Sequence, residues 1–152
     1  MADPRATVEQ YGDMVWRLSL ARTASVHDAE DVFQEVFLRY LRHQDHLNGA
    51  EHIRAWLIRC TVNCSKSLLT APWRRRTVAL EEALAAPMDE EARAVYAAVL
   101  SLPQIYRTAI HLYYYEGLSV AEIAQATGCR EGTVKSRLSR GRALLKGVLH
   151  DV

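Results

Sequence analysis

An all-α chain of two small helical bundles is the fold class this sequence predicts, on three observations. Apolar residues recur at three- and four-residue steps over most of its length, the signature of helices with one buried face. Nowhere does an alternation of β-branched residues build a strand. Near the middle the pattern breaks. There Ala71-Pro72, Arg74-Arg75-Arg76 and Ala86-Pro87 bracket an alanine- and glutamate-rich stretch of weak amphipathicity. This predicts a flexible linker over 70–89 between domains spanning 1–69 and 90–152.

Bulk properties agree with that division. The 152 residues, 49% of them hydrophobic, suffice for one ordinary domain or two small ones with packed cores. No stretch approaches the roughly 20 apolar residues of a membrane span. Met1 to Glu9 carries acids and no apolar run, so no signal peptide is expected there. Three cysteines, Cys60, Cys64 and Cys129, make no disulfide framework and suggest a reducing cytosol. A net charge of +1 hides an asymmetry. Between Gly128 and Gly147, Arg130, Lys135, Arg137, Arg140, Arg142 and Lys146 oppose Glu131 alone, whereas every charged residue from Asp28 to Glu35 is acidic. Such clusters suit one polyanionic and one basic partner, with solvated faces as the alternative.

The first helix is expected from about Val8 to Ala24. A second carries the stripe Ala29, Val32, Phe33, Val36, Phe37, Tyr40 and Leu41, with Asp28 placed as its N-cap. Asp31, Gln34, Glu35 and Leu38 then form its outer face, acidic and partly apolar, suited to docking on a basic protein surface. The polar stretch from His43 to Asn48, with Gly49, separates it from a third helix over His52 to Leu69. Helices resume from Glu90 to Leu100 and, after Pro103, from Ile105 to Tyr115, where Gly117 stops the run. Trp16, Trp56 and the Tyr113-Tyr114-Tyr115 run read mainly as core.

The C-terminal segment holds the most specific pattern. Ser119-Val-Ala-Glu122 is a capping box opening a short helix with Val120, Ile123 and Ala124 inward. Gly128 can take the left-handed conformation that ends it. A second helix begins near Arg130 or Glu131, with Val134, Leu138 and Leu145 inward. Stepping 100° per residue from Val134 puts Gly132, Thr133, Ser136, Ser139 and Arg140 on the outer half, with Lys135, Arg137 and Arg142 on the flanks. Short hydrogen-bonding residues at the centre and cations at the edges are what a helix in the major groove needs.

These motifs carry a family resemblance. Asp28-Ala-Glu-Asp-Val-Phe-Gln-Glu-Val-Phe-Leu38 closely resembles region two of the extracytoplasmic-function (ECF) sigma factors of bacterial RNA polymerase. Arg54-Ala-Trp-Leu57 with Asn63 resembles that region's next helix. Leu102-Pro-Gln-Ile-Tyr-Arg107, Glu116-Gly-Leu-Ser-Val-Ala-Glu-Ile-Ala124 and Gly132-Thr-Val-Lys-Ser-Arg-Leu-Ser-Arg-Gly-Arg142 resemble region four. The resemblance covers nearly the whole chain, in the family's order. It implies that Asp31, Gln34, Glu35 and Leu38 bind the polymerase core enzyme. The 43–52 loop, with Arg54, Arg59, Asn63 and Lys66, would handle the melted downstream promoter element, capturing an unstacked base. Arg130, Thr133, Lys135, Ser136, Arg137, Ser139 and Arg140 would read the double-stranded upstream element. Glu81, Glu82, Asp89 and Glu90 would thread the polymerase channel. The resemblance further implies a cytoplasmic protein held by an anti-sigma factor at the inner face of the membrane. One departure stands out: family members commonly carry an aspartate and arginines just after the Asn63 position, where this chain has Cys64-Ser65-Lys66-Ser67.

Two other classes account for parts of the sequence. A dimeric helix-turn-helix regulator without polymerase affinity would need a dimer interface and a palindromic site. A metal or redox enzyme would use Cys60 and Cys64, one helical turn apart, with His43, His46 or His52 as further zinc ligands. Structural zinc sites favour closely paired ligands in loops, so no metal, cofactor or small-molecule substrate is expected. Nucleophile–base arrangements and phosphate-cradling glycine loops are not found in the sequence, and no enzymatic activity is expected.

Overall fold

A computed structural model describes residues 3–69 and 89–150. The chain divides into two compact units between Arg76 and Thr77, and the described residues are helical, without strands. The expected linker, with Arg74, Arg75, Arg76, Glu81 and Glu82, lies outside the described residues apart from Asp89.

In the first unit α1 (Pro4–Thr23), α2 (Val26–His43) and α3 (Gly49–Leu69) each pack against the other two. Helix α1 starts four residues before the expected Val8. Asp3 accepts a hydrogen bond from the Arg5 amide and Pro4 takes the first position, where its missing N–H costs nothing. Between α1 and α2 the chain turns at Ala24, in the left-handed region with φ 51°. The N-cap of α2 is Ser25 rather than Asp28. Ser25 is extended and its Oγ accepts from the Asp28 amide at 3.3 Å, so Asp28 falls in the first turn.

The core of this unit is built on the expected stripe, with Phe33 half-buried and Leu41 outside it. Ala29, Val32, Val36 and Tyr40 are buried against Val15, Leu18 and Ala21 of α1 and Leu57, Ile58 and Val62 of α3. An aromatic ladder runs through Trp16, Phe33, Phe37, Tyr40 and Trp56, with successive ring centroids 4.9–6.5 Å apart. The Tyr40 hydroxyl shares a 3.0 Å hydrogen bond with Thr7 Oγ1. Leu41 departs from the stripe and is 47% exposed. At 100° per residue it lies about 140° from Val36, on the outside of the helix.

In the second unit α4 (Glu90–Leu100), α5 (Gln104–Ile110), α6 (Val120–Thr127) and α7 (Glu131–His150) enclose Val99, Ile110, Leu112, Ile123, Val134 and Leu138. Asp89, expected in the linker, is the N-cap of α4 and accepts from the Ala92 amide at 2.7 Å. The expected helix through Tyr115 changes character at His111, where a π turn spans His111–Tyr115. The Glu116 amide donates to the His111 carbonyl five residues back, and the Glu116 carboxylate pairs with His111 Nε2 at 2.7 Å inside the core. This wide turn keeps His111 and Leu112 inside and delivers Tyr113, Tyr114 and Tyr115 to the surface. The three tyrosines are 37%, 54% and 37% exposed, not core as expected.

Helices α5 and α7 touch most closely at Gly141. A β-carbon there would stand 2.7 Å from Ile110 Cγ1 and 3.1 Å from its Cδ1, whereas at Gly147 nothing lies within 4 Å. Alanine is the better helix former by about 1 kcal/mol, while overpacking a filled core costs about 1–3 kcal/mol. Urea denaturation is therefore expected to show Gly141→Ala less stable than the parent by up to about 2 kcal/mol, and Gly147→Ala more stable by about 0.5 kcal/mol. Equal gains for both would mean that the α5–α7 contact is not tight.

Candidate functional site

Three surfaces gather the residues singled out in the sequence. On α7, Val134 and Leu138 are each 1% exposed and fix the rotation of the helix. Ser136, Ser139 and Arg140 consequently point outward, with Gly132, Lys135 and Arg130 also exposed. Thr133 and Arg137 are only half-exposed. Arg137 leans back over the turn, its Nη1 3.8 Å from Cys129 Sγ, whose own partner is Thr127 Oγ1 at 3.1 Å. Arg142 turns away to Tyr114, donating from Nε to the hydroxyl and lying over the Tyr113 and Tyr114 rings. The outer centre is thus small and polar, with cations around it.

The approach of α6 to α7 is built from local rules. Ser119 Oγ accepts from the Glu122 amide at 3.1 Å, and Glu122 Oε1 accepts from the Ser119 amide at 2.9 Å, the reciprocal capping box. Gly128, at φ 70°, ends α6 with its amide on the Ala124 carbonyl. Ile123 and Ala124 are buried as expected, while Val120 is half-exposed.

On α2, Asp31, Gln34 and Leu38 are exposed and Glu35 is half-exposed, pairing with Arg39 Nε at 2.8 Å. The pair is solvated and contributes little to stability. Leu41 joins Leu38 on this face, a second exposed leucine that the sequence reading had counted as core. The surface is therefore acidic at Asp31, apolar at Leu38 and Leu41, and carries the exposed Arg39 and Arg42 beside Glu35.

On α3, Arg59, Asn63 and Lys66 are exposed and fall within about 60° of one another. Arg54 is half-buried and lies some 140° around the helix from Arg59, so the structure does not bring it to that face. Ser65 is buried, accepting from Arg22 Nε at 2.7 Å. The expected loop from His43 to His52 is mostly helical. A 3-10 turn covers Gln44–His46, and α3 already starts at Gly49. His52 Nδ1 accepts from the Asn48 amide at 3.1 Å, giving that helix start an acceptor the sequence pattern does not advertise.

Beside this short connection is a cleft of about 590 Å³, lined by Thr7 and Tyr11 of α1, Tyr40 of α2, and Gln44, Asp45 and Asn48 among others. The Gln44 side chain donates to the Leu41 carbonyl, while its Oε1 is buried without a hydrogen-bond partner. An unmade bond of this kind costs roughly 1–3 kcal/mol. Among the described residues no cluster of three or more histidines, cysteines or acids is arranged to hold a metal. His43 instead stacks near Trp56, with ring centroids 5.7 Å apart, and pairs with the Arg39 carbonyl.

A helix-turn-helix whose outer face carries small polar side chains with cations around them defines a DNA-binding protein. The family models described as Sigma-70 region 2 and Sigma-70, region 4 match residues 7–75 and 92–145. An ECF RNA polymerase sigma-E factor of Haemophilus influenzae is 33% identical over 95% of this chain and 86% of its own length. The ECF RNA polymerase sigma factor SigE of Mycolicibacterium smegmatis is 36% identical over 93% of this chain, which spans 60% of that relative's length. Among solved structures, the sigma factor RpoE of Bartonella quintana, crystallised with the anti-sigma factor NepR, superposes with a TM-score of 0.73 at 22% identity, covering 96% of both chains. CnrH in complex with the cytosolic domain of CnrY gives 0.70 at 24% identity, over 97% of this chain and 88% of that one. The chain belongs to the ECF sigma factors of RNA polymerase, within the sigma-70 family.

The capping box is open to a direct check. Ser119→Ala removes one of the two reciprocal bonds and is expected to lower stability by about 1 kcal/mol in urea denaturation. An unchanged midpoint would mean that packing of Leu118 and Ile123 alone sets the start of α6.

Proposed function

We propose that this chain directs RNA polymerase to its promoters with three separate faces, acting by binding and without catalysis of its own. The observation that carries this reading is the outer surface of α7. Small hydrogen-bonding side chains are aimed outward by the buried Val134 and Leu138, so the backbone can approach base edges in the upstream element. Arg140 is the base reader. Lys135, with Arg130 and Arg137, meets phosphate, which positions without specifying. Ser136, Ser139 and Thr133 serve either partner.

On α2, Asp31, Gln34, Glu35 and Leu38, joined by Leu41, dock the core enzyme through charge complementarity around an apolar centre. On α3, Arg59, Asn63 and Lys66 face the downstream element, with Arg54 kept out of that role by its position. The cleft beside Gln44 suits an extruded base, whose exocyclic amine would satisfy the orphaned Oε1 and offset part of the unstacking cost. An anti-sigma factor is a further partner, supported by the structural neighbour RpoE, which was crystallised with one. The place of action is the cytoplasm, with the anti-sigma factor holding the chain at the membrane. Among the described residues no helix is long and apolar enough to cross one.

Two experiments test the faces separately. Asp31→Lys with Glu35→Lys reverses two charges while costing the helix only a few tenths of a kcal/mol. It should abolish pull-down of core polymerase with helicity intact, and undiminished capture removes this face from the interface. For α7, selection on randomised upstream DNA at two salt concentrations should show Arg140→Ala losing preference at one position, worth roughly 1–3 kcal/mol. Lys135→Ala should weaken all sequences alike and lower the salt slope by about one ion. Exchanged behaviour would mean that α7 is rotated on the DNA.

A further inference from the structure

Cys60 and Cys64 sit one turn apart on α3, with Sγ atoms 3.8 Å from each other. Neither belongs to a disulfide. Their surroundings differ. Cys60 is buried, whereas Cys64 is half-buried and open to small molecules. Across the interface, α2 presents the Arg39 guanidinium and the Glu35 carboxylate to the pair, and the two side chains are hydrogen-bonded to each other at 2.8 Å. Helix geometry places α-carbons four residues apart at roughly 6 Å, inside the span of about 4.4–6.8 Å that a disulfide accepts. The β-carbons, about 5–6 Å apart, must close to about 4.5 Å, so the bridge forms only as this turn of α3 distorts. Closing the bridge requires the sulfurs to approach from 3.8 Å to about 2.05 Å.

We propose that Cys60 and Cys64 form a peroxide-reactive dithiol, in which Cys64 is the attacking sulfur and Cys60 the resolving one. The oxidant is a hydroperoxide. The Cys64 thiolate attacks the distal oxygen and the O–O bond breaks. The remaining oxygen takes up the proton that the Cys64 thiol had released and leaves as an alcohol or, from hydrogen peroxide, as water. Cys64 becomes a sulfenic acid. Cys60 then attacks that sulfur, its proton leaves with the displaced hydroxyl as a second water, and the disulfide closes. Two thiols lose two electrons and the peroxide gains them.

The asymmetry of the pair supports this order. A hydrogen bond from Cys60, together with the Arg39 guanidinium, brings the Cys64 thiol down from its ordinary 9.0 to about 7 against the opposing effects of burial and Glu35. The Cys60 thiol is pushed up, first by that same bond and then by burial. The thiolate, which is the nucleophile, therefore forms on the accessible sulfur. Disulfide closure would take an anion away from Arg39 and stiffen the turn of α3 that carries Asn63.

The test uses the purified full chain and hydrogen peroxide at pH 6. Trypsin cutting after Arg59 and Lys66 leaves both thiols in one peptide, Cys60–Lys66. After peroxide and then iodoacetamide, that peptide should have lost two hydrogens and carry no label. Cys64 in the native chain should react on the order of tenfold faster than in the urea-unfolded chain. Below pH 7 its thiolate fraction rises about a hundredfold, and lower nucleophilicity returns roughly one factor of ten. In Cys60→Ser the reaction should stop at a sulfenic acid on Cys64 that dimedone captures. Native and unfolded chains reacting at the same rate, or a peptide that keeps both labels after peroxide, would overturn the proposal. Should Cys60→Ser fail to fold, the rate comparison on the parent chain decides by itself.

Discussion

Each surface proposed for recognition is the reverse side of a buried stripe, and the 100° step of the α-helix makes the two inseparable. On α2, Val36 is fully buried and Leu38, about 200° further round, is half exposed. On α7, burial of Val134 and Leu138 leaves no freedom in where Ser136 and Ser139 point. Gly141 adds a second constraint, because its missing side chain lets α7 lie directly on Ile110. A one-residue shift of register would expose the core and scramble the outer face together. Selection for stability and selection for recognition therefore act on the same rotation.

Much of this was legible in the sequence, for reasons that are local. The capping box at Ser119 and Glu122, the left-handed Gly128, and the stripe from Ala29 to Tyr40 each follow from residue type and spacing, and all occur in the structure. The misreadings have a common physical origin. Tyr113, Tyr114 and Tyr115 looked like core because periodicity was continued through a straight α-helix. A π turn, held by the buried His111–Glu116 pair, rotates them outward instead. Leu41 looked like core because hydrophobicity alone does not say where a stripe ends. The segment from His43 to His52 looked like a loop because neither a 3-10 turn nor a histidine acceptor at Asn48 has a strong sequence signal. Gly141 passed unremarked for the opposite reason: only the three-dimensional contact with Ile110 distinguishes it from Gly147.

Small bundles also carry polar groups into their cores, and here these groups fix directions that apolar packing leaves loose. Arg22 of α1 reaches Ser65 Oγ at 2.7 Å and the Val62 carbonyl at 3.3 Å. It thereby ties α1 to the end of α3 that presents Asn63 and Lys66. Arg107 donates to the carbonyls of Leu100 and Leu102, satisfying the end of α4 just before Pro103 opens the next helix. A buried guanidinium left unbonded would be costly, so each arginine tolerates only the geometry that supplies its acceptors. That is a directional constraint of a kind that leucine in the same place could not impose.

The departure after Asn63 acquires a physical meaning from this arrangement. Just after Asn63 this chain places Cys64 beside Cys60 and buries Ser65 as the acceptor for Arg22. Among the described residues of that stretch Asn63 and Lys66 are exposed, and the α3 face carries the cations Arg59 and Lys66 around that amide. Phosphate attraction is correspondingly modest, since each cation neutralises about one phosphate. On the proposed reading, discrimination at the downstream element then falls more heavily on shape and hydrogen bonding in the cleft beside Gln44. A buried acceptor with no partner of its own is selective there in a way that surface charge is not. On that reading, a base edge lacking a donor would bind more weakly, because it would leave the cost of the unmade bond in place.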